Sequence, residues 1–414
     1  MKKKINRIIS SLLLILLLAS SMAIPVSAAG QDADDVYKIG VVVYNPDSQE
    51  MKMFMNYYKD YLEEGFPVQF YFSGPTYTAE EENAFIEAVK AEGAQGIISF
   101  LGIDVQSTLE VCEENEMYYV LGSNFINDED YEAVKDNPWF QGCIGPNPDS
   151  VYQTGQEMAS YFLDKGAKSF LIMTGGASKG NSNHAGRTEG MLDTLKEQAG
   201  LVLDGEIAAI AASEENTVLT SEDGSISVTL CPDYTEDGGA GLSNLEAAFS
   251  NGSYDALMSA FHVSTYLDKI AAQEAAQGTN IMVGAVDSFT EENFEAFKEK
   301  DAFGNPPIDF VQGKYASMAG PAFALLYNAI SGHPEVNSSD GTAVRLYQEL
   351  WTADSREKYI ELYGYTTGIY ENAYSCADLM NVIKVFNDEA SPEAIKELTE
   401  ACTVEDVKAR ILSN

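Results

Sequence analysis

Phe140-Gln-Gly-Cys-Ile-Gly-Pro-Asn-Pro-Asp-Ser-Val-Tyr-Gln-Thr-Gly155 is where the chain begins its pattern a second time. The apolar run Phe140–Ile144 reads as a short buried strand, the Pro/Asn/Asp text as a loop, and Ser150 to Lys165 as a helix. The same order opens the chain at Lys38–Val43, a β-branched strand followed by the polar loop Tyr44–Gln49. Met51, Phe54, Tyr57, Tyr58 and Tyr61 then recur at helical spacing. Between the two beginnings lie strands at Val68–Phe72, Gly96–Phe100 and Tyr118–Leu121. Helices at Ala79–Ala91, with Thr78 as N-cap, and at Gln106–Glu116 separate them. Beyond the second beginning come a strand Ser169–Thr174, a helix from about His184 to Gln198, and strands at Ala256–Phe261 and Ile281–Ala285. Strands that alternate with helices in this way build a parallel sheet with right-handed crossovers. Two such half-chains predict an α/β protein of two doubly wound lobes. No Gly/Ser or Pro linker separates them, so a short crossover is expected. Residues 203–241 read as strands and loops, Ser331 to about Ala343 as an exposed loop, and Tyr374–Asn414 as acidic helix.

Length and composition agree. At roughly 150 residues per domain, 414 residues suggest two or three domains. Hydrophobic residues are 45% and charged residues 21%, which excludes a disordered or fibrous chain. Lys+Arg 25 against Asp+Glu 64 gives a net charge of −39, a surface that repels phosphate backbones and anionic lipid, so nucleic acid is not an expected partner. The N-terminus has a basic start (Lys2, Lys3, Lys4, Arg7), an apolar run Ile8–Leu18, and small residues ending Val26-Ser27-Ala28-Ala29. That is the layout of a secretory signal spanning 1–28, cleaved near Ala28, and no cysteine nearby supports a lipid anchor. Tyr315–Gly332 carries no charge, but Gly320-Pro321 and its alanines fit a buried helix with Pro in the first turn rather than a membrane span. Five cysteines without C-x-x-C spacing read as buried small residues with at least one unpaired, and three scattered histidines predict no metal site.

Several segments resemble type I periplasmic (solute) binding proteins, in particular the branch that binds galactose and ribose. Tyr44-Asn-Pro-Asp-Ser-Gln-Glu-Met51 stands where that family has its first ligand loop, and Cys143–Gly155 is similar to its first crossover. Arg187-Thr-Glu-Gly-Met191 resembles a motif whose arginine contacts ligand, and Gly284-Ala-Val-Asp-Ser288 one whose aspartate does. Val311-Gln312 resembles the amide-bearing second crossover. The resemblance implies two Rossmann-like lobes joined by three crossovers, with ligand in the cleft at the carboxyl ends of the strands. It implies an N-terminal lobe over 36–144 completed by about 312–360, and a C-terminal lobe over 145–311 completed by about 365–414. It also implies a monomer without cofactor, which passes a sugar or sugar-like ligand to an ABC permease or presents it to a membrane receptor.

A sugar needs carboxylates and amides as paired acceptors and donors, an arginine fork, and aromatic walls. The loops after successive strands offer Tyr44, Asp47, Ser48, Phe100, Asn183, Arg187, Tyr234, Phe261, His262, Asp287 and Gln312. Arg187 leads, because bases are scarce and this one lies at a strand-to-helix mouth. The family's asparagine-aspartate pair is replaced here by Phe261-His262. A rival reading is a serine hydrolase. Gly176-Ala-Ser178-Lys-Gly180 matches G-x-S-x-G, with Asp287 and His333 following in order, but no oxyanion segment precedes it.

Overall fold

A computed structural model describes residues 36–233, 239–338 and 340–413. The proposed signal segment and Tyr234 lie outside the described residues. Two sheets organise the unit that starts at Tyr37. The first is built from β1 (Tyr37–Val42), β2 (Val68–Phe72), β3 (Gly96–Ser99), β4 (Tyr118–Gly122), β5 (Phe140–Pro146) and β12 (Val344–Gln348). Its order is β12-β5-β4-β3-β1-β2 and every pairing is parallel. The second sheet holds β6 (Ser169–Gly175), β7 (Thr217–Thr220), β8 (Ser227–Pro232), β9 (Ala256–Ser259), β10 (Met282–Val286), β11 (Phe310–Gly313) and β13 (Trp351–Ala353). Its order is β13-β11-β10-β9-β6-β8-β7, parallel except for the two edge strands.

The inner strands are mostly apolar because helices cover both faces, as a parallel sheet requires, whereas the edge strands β2, β7 and β12 carry polar residues such as Gln69, Thr217 and Arg345. β3 and β9 are buried at every residue. Helix Ala79–Ala91 starts where Thr78 and Glu81 form a reciprocal capping box. The uncharged stretch after Tyr315 is the helix Gly320–Ile330, with Pro321 in its first turn and nearly every residue buried against the first sheet. No helix among the described residues is long and apolar enough to cross a membrane. All five cysteines are free, four of them buried.

The chain passes from the first sheet to the second after β5, returns after β11, and crosses again between β12 and β13. The allocation of the later residues differs from the sequence expectation. β13 closes the edge of the second sheet, and helix Arg356–Gly364 joins the same lobe by stacking Tyr359 on Phe297 (4.1 Å) and Tyr363 on Phe294 (4.3 Å). The tail expected there crosses back instead. Tyr374 donates to the Thr399 carbonyl and accepts from Gln348 of β12, while its own carbonyl accepts from Tyr57 in the first lobe. Flat aromatic faces on successive segments decide this docking, and helical periodicity carries no such information. The described residues of 331–343 are only partly an exposed loop. Asn337 is buried and donates to the Leu325 carbonyl (2.8 Å) and to Gln141 (2.9 Å), pinning the loop to the sheet. Within 203–241, a short helix Ile207–Ala211 precedes the β7–β8 pair.

Candidate functional site

In each sheet the strand order reverses once, between β1 and β3 in the first and between β6 and β9 in the second. Loops leaving adjacent strands in opposite directions open a crevice at the carboxyl ends. A cleft of about 620 Å³ lies there and is lined from both lobes, within the roughly 300–1,000 Å³ usual for small-molecule sites.

Local capping sets the polar wall. Ser48 accepts from the Met51 N–H and starts helix Gln49–Asn56, which puts Glu50 in the first turn. Asn181 accepts from the His184 N–H and starts helix Ser182–Ala199, which puts His184 and Arg187 one turn apart on the cleft side. This helix lies hard against Asp149–Asp164. A Cβ on Gly155 would sit 2.0 Å from the Arg187 carbonyl oxygen, and one on Gly190 would sit 2.1 Å from that of Tyr152. Both glycines are required by this approach, and the approach fixes the backbone of Arg187.

Glu50 links the lobes. Its carboxylate accepts from Tyr44 (3.3 Å) on its own side, and from Ser288 and Lys314 (3.3 Å) on the other. Burial acts to raise its pKa, but the Lys314 charge and these hydrogen bonds outweigh it and hold the carboxyl below the usual range. Arg187 donates from Nη1 to the Ala260 carbonyl at 2.7 Å, and its Nε is buried with no partner. Burial lowers its pKa to about 10 against the pull of Glu50. His184 accepts the Gly176 N–H on Nδ1 (2.9 Å), and burial, with Arg187 and His262 nearby, drives its pKa down to about 3.

Asp287 accepts the Ser288 N–H at 2.7 Å and makes no ion pair with Arg187. Burial pushes its carboxyl up to about 7; Asn293 and the Ser288 N–H oppose this, and Glu50 and Glu292 add to it. A carboxyl raised in the folded state loses stability as pH rises from its unfolded value near 4 to about 7, and the loss is complete above that. Asp287→Asn is therefore expected to stabilise the protein at pH 8 by about 1–3 kcal/mol, allowing for partial solvent contact, and to leave it unchanged at pH 4. Urea unfolding of both proteins at the two pH values measures this. Equal stability at pH 8 would assign Asp287 an ordinary carboxyl.

No family model matches the chain, and no curated protein sequence matches it. Solved structures do. A solute-binding protein of an ABC transporter from Bacillus halodurans, with bound myo-inositol, is 17% identical at a TM-score of 0.53, covering 81% of this chain and 99% of that one. A periplasmic solute-binding protein from Actinobacillus succinogenes, with bound D-allose, is 10% identical at a TM-score of 0.56, covering 78% and 99%. A galactofuranose-binding protein is 14% identical at 0.55, covering 80% and 99%. The chain has the type I periplasmic binding protein fold.

Tyr44, Asp47, Ser48, Asn183, Arg187, Phe261, His262 and Asp287 all line the cleft of this type I fold. Phe100 and Gln312 do not. Phe100 is 6% exposed and packs on Phe54 (4.9 Å) and Tyr58 (6.2 Å) as core. Gln312 is still inside β11, so its amide meets the helix layer and donates to Glu157 (2.9 Å) and Thr352 (2.8 Å). The serine-hydrolase geometry is not assembled. The Ser178 hydroxyl is buried without a partner, the His333 ring pairs with Glu335, and Asp287 is engaged as above. Sequence reasoning missed Glu50, Lys314, His184, Asn124 and Phe125, which also line the cleft. Glu50 lay inside the quoted first loop, and Lys314 stands two residues past the amide chosen in its place.

Proposed function

We propose that this chain is an exported, monomeric solute-binding protein that captures a small polar ligand, a sugar or sugar-like metabolite, between its lobes and delivers it to an ABC-type permease. The observation that carries the reading is the two-lobed cleft, in which an arginine, carboxylates, amides and aromatic walls converge at the carboxyl ends of both sheets. The signal-like N-terminus supports export. The bound myo-inositol and D-allose of the two similar solved proteins support the ligand class.

A ligand that touches both lobes stabilises only the closed arrangement. At about 100 times its dissociation constant it adds about 2.7 kcal/mol of apparent stability. The expected result of a thermal-shift screen over monosaccharides, polyols, nucleosides and sugar acids is a concentration-dependent rise for one chemical group. The ligand should also be recovered unaltered by mass spectrometry, as befits a binding protein rather than an enzyme. No shift with any of these compounds would remove the ligand class.

A further inference from the structure

We propose, on the strength of the cleft reading above, that the ligand is a sugar acid whose carboxylate is gripped by the Nε–Nη2 edge of Arg187. The guanidinium has one arm tied down, Nη1 to the Ala260 carbonyl at 2.7 Å, while Nε is buried with no hydrogen bond and no ion pair forms within 4 Å among the described residues. With Nη1 engaged, the edge left over is the one that presents two parallel N–H groups, the geometry that matches a carboxylate bidentately.

The charges around it make the same point. Among the described residues, Arg187 and Lys314 are the two Lys or Arg side chains on the cleft wall. Of the carboxyls, Glu50 is committed to Lys314, Ser288 and Tyr44, and Asp287 turns to the Ser288 N–H. Asp47 and Glu292 sit exposed at the rim. His184 holds an acceptor nitrogen toward the Gly176 N–H, so that ring adds no charge. One half-buried cation is thus left with the field of Glu50 but without a direct ion pair among the described residues. Removing a charge from water is expensive unless an opposite charge meets it. Burial lowers the pKa of Arg187 by more than Glu50 raises it, in keeping with a charge that has no direct partner. A monoanion supplies the direct partner that Arg187 lacks. A phosphate ester brings a second charge into a chain of net charge −39 whose cleft has no third Lys or Arg among the described residues to meet it. The Asn183 amide and the Phe125 ring line the same cleft and suit the hydroxyls and the ring face, while the Asn124 amide is committed to the Phe100 and Leu101 carbonyls and the Phe125 N–H.

The test is calorimetric titration of the full chain, stripped of carried-over ligand by unfolding, dialysis and refolding. D-Galacturonate, D-glucuronate and D-gluconate are compared with D-galactose, D-glucose and glucose 6-phosphate at constant ionic strength. At least one acid is expected to bind ten times or more tighter than its neutral counterpart. Arg187→Lys, which keeps the charge but not the fork, is expected to weaken that acid at least tenfold and shrink its preference over the neutral sugar, in a variant whose melting curve confirms folding. A neutral or phosphorylated sugar that binds as tightly as the acids overturns the inference and leaves the cleft reading intact. An Arg187→Lys variant that keeps the preference also overturns it. Binding by none of the three acids also overturns it, and the cleft reading is then decided by the wider thermal-shift screen.

Discussion

Trp351→Ala is expected to cost about 3–5 kcal/mol of folding stability, the range for removing a buried large aromatic side chain. Trp351 is 2% exposed and stacks on Tyr315 with ring centroids 3.8 Å apart, with Phe289 against its edge at 6.0 Å. Its indole N–H donates to the Cys402 carbonyl at 2.9 Å. One side chain therefore joins β13 at the edge of the second sheet to the tail that docks on the first. The alanine variant loses the stack and strands a carbonyl. Trp351→Phe keeps an aromatic face and loses the hydrogen bond, so about 1–2 kcal/mol is expected. Urea unfolding followed by far-ultraviolet circular dichroism ranks the three proteins. A loss below about 1 kcal/mol for the alanine variant would show that the tail docks without this residue.

How much of this could be read from sequence follows from what each signal measures. Buried parallel strands are apolar along their whole length, so β1, β3 and β5 stand out as short runs between polar loops, and their alternation with helices yields both sheets. Thr78 marks its helix start because a cap is a local event. The place of Arg187 on the cleft wall was legible because a base at a strand-to-helix mouth is scarce in so acidic a chain. Gln312 misled because a strand's end cannot be placed to the residue from its pattern. One position inside β11 the side chain meets the helix layer, and beyond the end it meets the cleft, where Lys314 is found. Phe100 misled in a related way. A loop aromatic next to a strand can face ligand or core, and here Phe54 and Tyr58 claim it. The docking of the tail rests on contacts such as Trp351–Cys402 and Tyr374–Thr399 between segments far apart in sequence, and neither propensity nor periodicity encodes those.

Gly313→Ala is expected to be severely destabilising and to remove ligand binding at the same time. β10 and β11 converge where they leave the sheet: the Asp287 N–H donates to the Gln312 carbonyl at 3.0 Å and the Phe289 N–H to the Lys314 carbonyl at 2.9 Å. A Cβ on Gly313 would lie 1.7 Å from the Asp287 carbonyl oxygen and 2.4 Å from its carbon. Both are backbone atoms, so no rotamer change relieves the clash and the two strand ends must part by more than an ångström. Overpacking of a well-packed site costs about 1–3 kcal/mol and more where the backbone itself must move, so about 3 kcal/mol or more is expected here. The separation also carries Asp287 and Ser288 away from Lys314, which breaks the pairing of Glu50 with the second lobe and alters the cleft wall. The loss of affinity should then persist at temperatures where the variant is still folded. Gly74→Ala is the control, since a Cβ there meets nothing within 4 Å and both stability and binding should stay at wild-type values. Melting curves and ligand titration of the two variants decide the matter. A Gly313→Ala protein that melts with the wild type would mean that the strand ends are not held this close in solution, and that the placement of Asp287 and Lys314 does not depend on their contact.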